Sequence, residues 1–154
     1  MSMQIVSMGR KNLDSCARIV DGMESFHRYG LTGDAIGRML GAALDEGRSD
    51  LRVSRTDDGD VLGLAWLVPR GGFDRSGYLR LIAVDEVHRR EGVGRRLVAA
   101  LEDTHLRHGG IFVLISRDNQ EAQQFYESQD YRHTGLLPGY IRPDLDELVF
   151  YKTS

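Results

Sequence analysis

The sequence from residue 78 to residue 101, YLRLIAVDEVHRREGVGRRLVAAL, decides the fold. Its first part, residues 78–84, alternates in the way that predicts a β-strand. One face of that strand is expected to carry Leu79, Leu81 and Ala83. From residue 93 onward, apolar residues recur every three or four positions, which predicts a helix. The stretch is therefore a strand, a polar loop and a helix.

The loop between these two elements has the composition of an anion-binding site. Gly92 and Gly94 lack the Cβ atoms that would hold a phosphate away from the backbone. The first N–H groups of the following helix have no intrahelical partner, and the helix dipole adds positive charge there. Fork-shaped donors for phosphate oxygens come from Arg89, Arg90 and Arg95. We predict that this turn binds phosphate; the simpler alternative is a solvated basic loop.

Two other phosphate-binding motifs fit this loop less well. A P-loop ends in Gly-Lys-Ser/Thr, whereas Gly94 is followed by two arginines. A dinucleotide fingerprint needs a third glycine where this sequence has Leu97. It also needs its glycines directly after the strand, where residues 85–91 intervene.

The rest of the chain supplies the remaining elements of one α+β domain. We predict strands at residues 4–8, 51–55, 61–68, 78–84, 111–116, 131–135 and 148–152, and helices at 13–26, 35–44, 93–106 and 120–129. Thr32 is expected to cap the second helix and Gly47 to end it. Asp58-Gly59 predicts a hairpin turn, and a long loop with Pro138-Gly139 and Pro143 is expected before the last strand.

Two motifs together resemble a known family. The pattern Arg-x-x-Gly-x-Gly at residues 89–94 is similar to motif A of the GNAT superfamily of N-acetyltransferases. The pattern Asn-x-x-Ala-x-x-Phe-Tyr at residues 119–126, followed by Tyr131, resembles motif B of that family. The resemblance extends in element order over residues 4–152 and is strongest at residues 78–131.

The resemblance implies a fold as well as an activity. We expect a single acetyltransferase domain over residues 1–154, built on a mixed, mainly antiparallel central sheet flanked by helices. A V-shaped splay should separate the two central parallel strands, and strand 78–84 should leave its neighbour at a bulge. The implied reaction moves the acetyl group of acetyl-CoA to a primary amine, of a small molecule or a peptide, by direct attack in a ternary complex.

The resemblance also assigns roles to residues. The residues expected to bind acetyl-CoA are Ile82, Ala83, Val84, Arg89, Arg90, Gly92, Val93, Gly94, Arg95, Asn119, Ala122 and Tyr126. The backbone of Ile82 and Val84 would pair with the pantetheine arm, and the Val84 N–H would stabilise the tetrahedral intermediate. Tyr126 is the expected catalytic residue, the acid that protonates the leaving thiolate. The spacing of Asn119, Ala122 and Tyr126 puts all three on one helix face.

The general base is where this sequence departs from the family pattern. Many relatives have a glutamate six residues before Val84, and this sequence has Tyr78 there, with Arg80 expected on the same face. Other candidates are Glu24, Asp146, Glu147 and a chain of water molecules. Each of these carboxylates is expected to be a solvated surface charge. A catalytically silent acyl-CoA-binding or sensing module of the same fold therefore stays open.

The expected acceptor site is formed by the first helix pair, residues 26–32 and residues 136–144. Aromatic and polar side chains that could line it are Phe26, His27, Tyr29 and Tyr140. Loops carry specificity on rigid scaffolds. The sequence does not identify the amine or the general base, and it leaves open homodimer formation and acyl groups larger than acetyl.

Bulk properties exclude several other classes. A net charge of −3 disfavours a general nucleic-acid binder. The one cysteine, Cys16, rules out an intramolecular disulfide and is expected to be a buried structural thiol. No basic segment followed by an apolar one opens the chain, and no apolar run approaches the ~20 residues that span a bilayer. We therefore expect a cytoplasmic protein without membrane partners, and no metal site around His105 and His108.

Overall fold

The computed structural model describes residues 2–154. Its strands are β1 Met3–Ser7, β2 Asp50–Thr56, β3 Val61–Gly72, β4 Ser76–Val84, β5 Ile111–Ser116, β6 Arg132–Arg142 and β7 Leu145–Lys152. Its α-helices are α1 Leu13–Asp21, α2 Glu24–His27, α3 Gly33–Glu46, α4 Val93–His105 and α5 Gln120–Glu127. No helix within this part of the chain is long and apolar enough to cross a membrane.

The strands form one seven-stranded sheet in the order β1-β2-β3-β4-β5-β7-β6. All neighbouring strands are antiparallel except the central pair β4 and β5, which is parallel. That parallel pairing covers only Gly77 to Leu79 on β4 and Ile111 to Val113 on β5. Beyond these residues the two strands separate. The mixed, mainly antiparallel sheet with a splay between two central parallel strands is thus confirmed.

A β-bulge lies on β4 where the splay begins. Leu79 is opposite Leu67 on β3 and Leu81 is opposite Trp66, so Arg80 is the extra residue. An extra residue shifts the alternation of side chains by one position. Leu79 accordingly packs into one core, whereas Leu81 and Ala83 pack into the other. The expectation that all three share a face was wrong, because regular alternation does not continue through a bulge.

The helices cover the two faces of the sheet unequally. On one face, α4 and α5 pack over strands from both halves of the sheet, with Leu97, Tyr126 and Phe150 in a common core. On the other face, α1 and α3 pack over β2, β3 and β4, with Val20 and Ile36 among the buried residues. Among the described residues, none from β5, β6 or β7 belongs to this second core. The hydrophobic core of the second face is therefore confined to the part of the sheet before β5.

Two local predictions were confirmed and two need correction. The Thr32 hydroxyl caps α3 by accepting a hydrogen bond from the Ala35 N–H, and Gly47 ends the helix in a left-handed conformation with φ 69°. The helix expected over residues 13–26 breaks at Gly22, which separates α1 from α2. The expected long loop before the last strand is instead most of β6. Pro138 is compatible with that strand because β6 lies at the sheet edge.

We predict that a methyl group at Gly63 destabilises the fold. A Cβ there would lie 2.9 Å from the Ala83 carbonyl oxygen and 3.0 Å from Val93 Cγ1, where α4 packs on the sheet. Gly63→Ala should lower the free energy of unfolding in urea by about 1–3 kcal/mol. The matched control is Gly37→Ala in α3, whose Cβ would meet only Ala17 Cβ at 3.8 Å. The free energy of unfolding of that variant should rise by about 0.5–1 kcal/mol. Equal effects of the two substitutions would contradict this packing.

Candidate active site

The start of α4 presents backbone N–H groups that no protein atom accepts. Gly92 is the N-cap, with a left-handed φ of 82°, and no side chain caps the helix. The first backbone hydrogen bond here is from the Arg96 N–H to the Gly92 carbonyl, 3.1 Å. Within residues 2–154, the N–H groups of residues 92–95 make no hydrogen bond. Four parallel donors at a positive helix end suit an anion.

Arginines without acidic partners surround these donors. Arg89, Arg90, Arg95 and Arg96 are exposed, and none of them forms an ion pair in the part of the chain that the structure describes. Arg95 donates to the Ser128 hydroxyl at 3.0 Å. Since their charges are not neutralised within the protein, these guanidinium groups add to the attraction of the helix end for an anion.

The two glycines of this turn have different roles. Gly92 has a positive φ, and a Cβ added there would meet nothing within 4 Å. Glycine is favoured at that position by its backbone conformation and leaves the space in front of the turn open. A Cβ on Gly94 would instead lie 3.2 Å from the Phe125 ring and 3.6 Å from Val84 Cγ2. Gly94 thus lets α4 approach α5 and β4, and its expected role in making room for phosphate stays a prediction.

The open edge of β4 leads directly to this turn. The Asp85 N–H donates to the Leu62 carbonyl on β3, at 2.8 Å. Because the polar groups of successive residues in a strand point to opposite edges, those of Ile82 and Val84 point away from β3, toward the splay. Both residues therefore present backbone groups where the pantetheine arm was expected. Ala83 does not, since its polar groups face β3 and its side chain is buried in the α1–α3 core.

The residues expected from the second motif lie on or directly before α5, the helix whose Phe125 lies next to Gly94 of this turn. Asn119 is the N-cap of α5, and its Oδ1 accepts a hydrogen bond from the Ala122 N–H at 3.1 Å. The Asn119 side chain thus has a capping role that the sequence reasoning missed, although Asn is a preferred N-cap residue. Ala122 is half-buried against the α4–α5 core. Val93 is buried in that core, so it can reach a ligand only through its N–H.

Tyr126 lies in the core that α4 and α5 share. It is 3% exposed, and its ring packs edge-on against Phe125 and Tyr131 at centroid distances of 5.0 and 5.3 Å. Burial raises the pKa of the Tyr126 phenol above its ordinary value. The hydroxyl therefore stays protonated and can act as a donor. The Gly94–Phe125 contact places this helix directly against the start of α4.

Glu147 is the carboxylate that the structure brings to the other side of the splay. It lies on β7 opposite Ser116, the last residue of β5, and is only 2% exposed. The Tyr29 hydroxyl donates to its Oε2 at 2.8 Å. Burial raises the pKa of Glu147, while the Tyr29 hydrogen bond and the charge of Arg28 act in the opposite direction. The expectation of a solvated surface charge was therefore wrong for Glu147.

The other two carboxylate candidates do not occupy such a position. Glu24 is exposed on α2. Asp146 forms an ion pair with Arg117 at 3.2 Å and accepts a hydrogen bond from the Gly139 N–H at 3.0 Å, which fixes the β6–β7 hairpin. Neither has the burial that distinguishes Glu147.

A polar network positions Tyr29 above Glu147. Arg28 donates to both carboxylate oxygens of Asp118, at 3.2 and 2.9 Å. The Ser116 hydroxyl donates to the same Asp118 at 2.6 Å, and Arg142 donates to the Arg28 carbonyl. The segment after α2 is thereby joined to the end of β5 and to the β6–β7 hairpin.

The other side chains expected to line the acceptor site each lie in a different environment. Phe26 packs against the α1–α3 core, and the His27 ring is hydrogen-bonded to the Asp21 carbonyl at 2.7 Å. Tyr140 is 63% exposed on the hairpin. Trp66 is buried, and its Nε1 donates to Ser49 at 2.9 Å.

Two further residue predictions concern reactive groups. Cys16 is fully buried, as predicted, and burial raises its pKa to about 12, so it is not a nucleophile. His105 does not lie free on the surface, because its Nε2 is 2.6 Å from Asp50 Oδ2. Among residues 2–154, no group of three or more His, Cys, Asp or Glu side chains could hold a metal ion.

Comparisons with known proteins agree with this geometry. A family model described as the acetyltransferase (GNAT) family matches residues 24–131. The fold is similar to that of a GNAT-family protein from Desulfovibrio desulfuricans, with a TM-score of 0.82 and 19% identity over 99% of each chain. It is also similar to a GNAT-family acetyltransferase from Bacillus cereus, with a TM-score of 0.77 and 20% identity over 100% of this chain and 99% of the other.

Two other proteins add to the comparison. The yncA protein of Salmonella typhimurium, whose structure contains acetyl-CoA, has a TM-score of 0.74 and 19% identity over 99% of this chain and 94% of its own. An uncharacterised protein from Mycobacterium leprae is 36% identical over 81 residues, which cover 48% of this chain and 22% of the relative. The chain thus matches about a fifth of the length of that relative.

We predict that Glu147→Gln changes how stability depends on pH. Because the folded-state pKa of Glu147 is raised, the stability contributed by this group is complete below its unfolded pKa of ~4.3 and is lost as pH rises through the folded value. The glutamine variant lacks this loss. Its free energy of unfolding, relative to the native protein, should therefore rise between pH 4 and pH 7, which urea unfolding at several pH values would measure.

The control for this experiment is Glu24→Gln, which removes one exposed carboxylate from α2. It should not show the same rise relative to the native protein. A difference between Glu147→Gln and the native protein that stays constant with pH, or that falls as pH rises, would contradict the burial of an ionisable carboxyl group at position 147.

Proposed function

The chain belongs to the acetyltransferase (GNAT) family, and on that basis we propose that it transfers the acetyl group of acetyl-CoA to a primary amine. The observation that supports this most directly is the set of free N–H groups at residues 92–95, beside the open edge of β4. A pyrophosphate and an extended arm are the two parts of CoA that need such donors. That a protein of the same fold, yncA, contains acetyl-CoA agrees with the proposal.

In this proposal the cofactor-binding residues act mainly through their backbones. The N–H groups of residues 92–95 bind the pyrophosphate, and Arg89, Arg90 and Arg95 add charge-assisted donors. The polar groups of Ile82 and Val84 bind the pantetheine arm as an added strand would. A Cβ added to Gly94 would lie 3.6 Å from Val84 Cγ2, so the strand edge and the start of α4 are neighbours. This supports binding of the pantetheine arm at the strand and of the pyrophosphate at the helix.

The reaction needs a donor at the carbonyl oxygen and another at the leaving sulfur. As the amine attacks the thioester carbon, the C–S bond breaks and a thiolate leaves. We assign the carbonyl oxygen to the Val84 N–H, since that group points into the splay. We assign the sulfur to the Tyr126 hydroxyl, on the helix packed against this turn.

Tyr126 would stabilise the thiolate mainly as a hydrogen-bond donor. An ordinary phenol has a pKa of ~10 and a thiol one of ~8.5, so complete proton transfer from the phenol is unfavourable by about 2 kcal/mol. Burial raises the pKa of Tyr126 and makes that transfer harder still. The expectation of an acid that gives up its proton is therefore replaced by a hydrogen bond, with the final proton on sulfur coming from the amine through solvent.

Glu147 is our proposed proton acceptor for the amine. An alkylamine is mostly protonated at neutral pH, so its proton must leave before the nitrogen can attack. Glu147 is buried, hydrogen-bonded to Tyr29 and placed at the end of β5, across the splay from β4. Its raised pKa brings it closer to the working pH, where a carboxylate is a more effective base. This carboxylate would replace the one absent from position 78.

We predict that Tyr126→Phe lowers the turnover number about 10- to 100-fold, the effect of losing one hydrogen bond to a developing charge. Acetyl-CoA affinity, measured by calorimetry, should change little, because the pyrophosphate contacts are untouched. Turnover is measured as thiol release from acetyl-CoA with a panel of amines. The matched control is Tyr131→Phe, which removes a neighbouring buried hydroxyl that has no hydrogen-bond partner in the described chain.

Two results would contradict parts of the proposal. An unchanged turnover number in Tyr126→Phe, or an equal loss in Tyr131→Phe, would remove Tyr126 from the mechanism. If the native protein binds acetyl-CoA but releases no thiol with any amine, it is instead a catalytically silent acyl-CoA-binding module of the same fold.

A further inference from the structure

Arg80 is a charged residue that the proposed chemistry does not use. It is the extra residue of the β4 bulge, at the point where β4 leaves β5. Its guanidinium carbon lies 4.2 Å from the centre of the Trp66 ring, which places the group on the sheet face that α1 and α3 cover. The residue is exposed and makes no ion pair or hydrogen bond within residues 2–154. Its planar donors are therefore available to a ligand.

The opposite charge on this face comes from Glu147. Arg80 and Glu147 do not form an ion pair with each other. The Tyr29 hydroxyl, which lies in the segment between Phe26 and Leu31 that packs against the α1–α3 core, donates to Glu147. Glu147 therefore lies on the same side of the sheet as Arg80, which stacks on Trp66 of that core.

The inference rests on the proposed function. We propose that the acetyl acceptor is an amino acid or a similar molecule that carries both an amine and a carboxylate. Glu147 would receive the amine, and Arg80 would receive the carboxylate through paired N–H donors. The reaction forms the amide bond at the amine and breaks the thioester, while the carboxylate stays unchanged.

The same two charges disfavour other acceptors. A polyamine or a lysine-rich peptide would place a second positive charge near Arg80, where like charges repel. A neutral amine would gain nothing from the Arg80 guanidinium, which would stay hydrated. Of the three kinds of acceptor, the amino carboxylate satisfies both groups.

The first test compares three acceptors that differ at one position: phenylalanine, phenylalaninamide and phenethylamine, with alanine and its amide as a smaller pair. Thiol release gives kcat/KM for each, expressed per concentration of unprotonated amine because the amide is a weaker base. We expect the acids to be preferred over their uncharged analogues by about 10- to 100-fold, the effect of a charge-assisted hydrogen-bond pair.

The second test uses Arg80→Gln, with Arg80→Lys to keep the charge and Arg38→Gln as the matched control. Arg38 is an exposed arginine on α3, outside the site. Arg80→Gln should reduce kcat/KM for the acids to that of the amides and leave the amides unchanged. Arg80→Lys should retain part of the preference, and Arg38→Gln all of it. Calorimetry with acetyl-CoA and thermal unfolding show whether each variant is folded and binds the cofactor.

A third readout does not depend on catalysis. The chain has one tryptophan, Trp66, and Arg80 stacks on it. Titration of the CoA-bound native protein with phenylalanine should therefore change the tryptophan fluorescence, whereas phenethylamine should not. The change should disappear in Arg80→Gln and persist in Arg38→Gln.

The outcomes separate this inference from the proposed function. Acetylation of phenethylamine as efficiently as phenylalanine, or an acid preference that survives Arg80→Gln, would overturn the inference and leave the acetyltransferase standing. A fluorescence response specific to acids, without acetylation of any amine, would support the carboxylate site and contradict the proposed reaction.

Discussion

The separation of β4 from β5 is the constraint on which the rest of the structure depends. Only three residue pairs join these two parallel strands. The bulge at Arg80 then turns β4 away, so the backbone groups of Ile82 and Val84 lack a neighbouring strand. The backbone N–H and C=O groups along such a strand edge are not paired within the sheet. They need another hydrogen-bond partner. The candidate site therefore lies where the hydrogen bonding between β4 and β5 stops.

The two halves of the sheet provide different chemistry around this gap. The β4 side contributes backbone donors and arginines, continued by the unpaired N–H groups at the start of α4. The β5 side contributes the buried Glu147, which is held by Tyr29 and by the network around Asp118. In the proposed reaction, the anionic cofactor binds on the side with the arginines and the amine binds on the side with Glu147.

Sequence could predict the elements whose signals are local. The helix start after Gly92, the Thr32 cap and the strand of residues 111–116 follow from periodicity and capping preferences. The bulge at Arg80 could not be found in this way, because it depends on the register with β3. The length of β6 was missed because Pro138 signals a loop unless the strand is known to lie at an edge.

The residues of the candidate site also fall into those that local sequence predicts and those that depend on distant parts of the chain. The donors at residues 92–95 were predictable, since glycines and a helix start lie next to each other in sequence. The burial of Glu147 was not, because it depends on Tyr29, which lies 118 residues away in the chain. Gly94 shows the same limit, since its glycine is explained by contact with Phe125 on another helix. Long-range packing supplied what local pattern could not.

The most direct measurement of the central claim is the shift of backbone amide resonances on binding of CoA. Titration of isotopically labelled protein with CoA should move the amide protons of residues 92–95 downfield, together with those of Ile82 and Val84. Pantetheine, which lacks the pyrophosphate, should move only the two strand residues. Amide resonances of residues 92–95 that stay in place when CoA is bound would contradict the account.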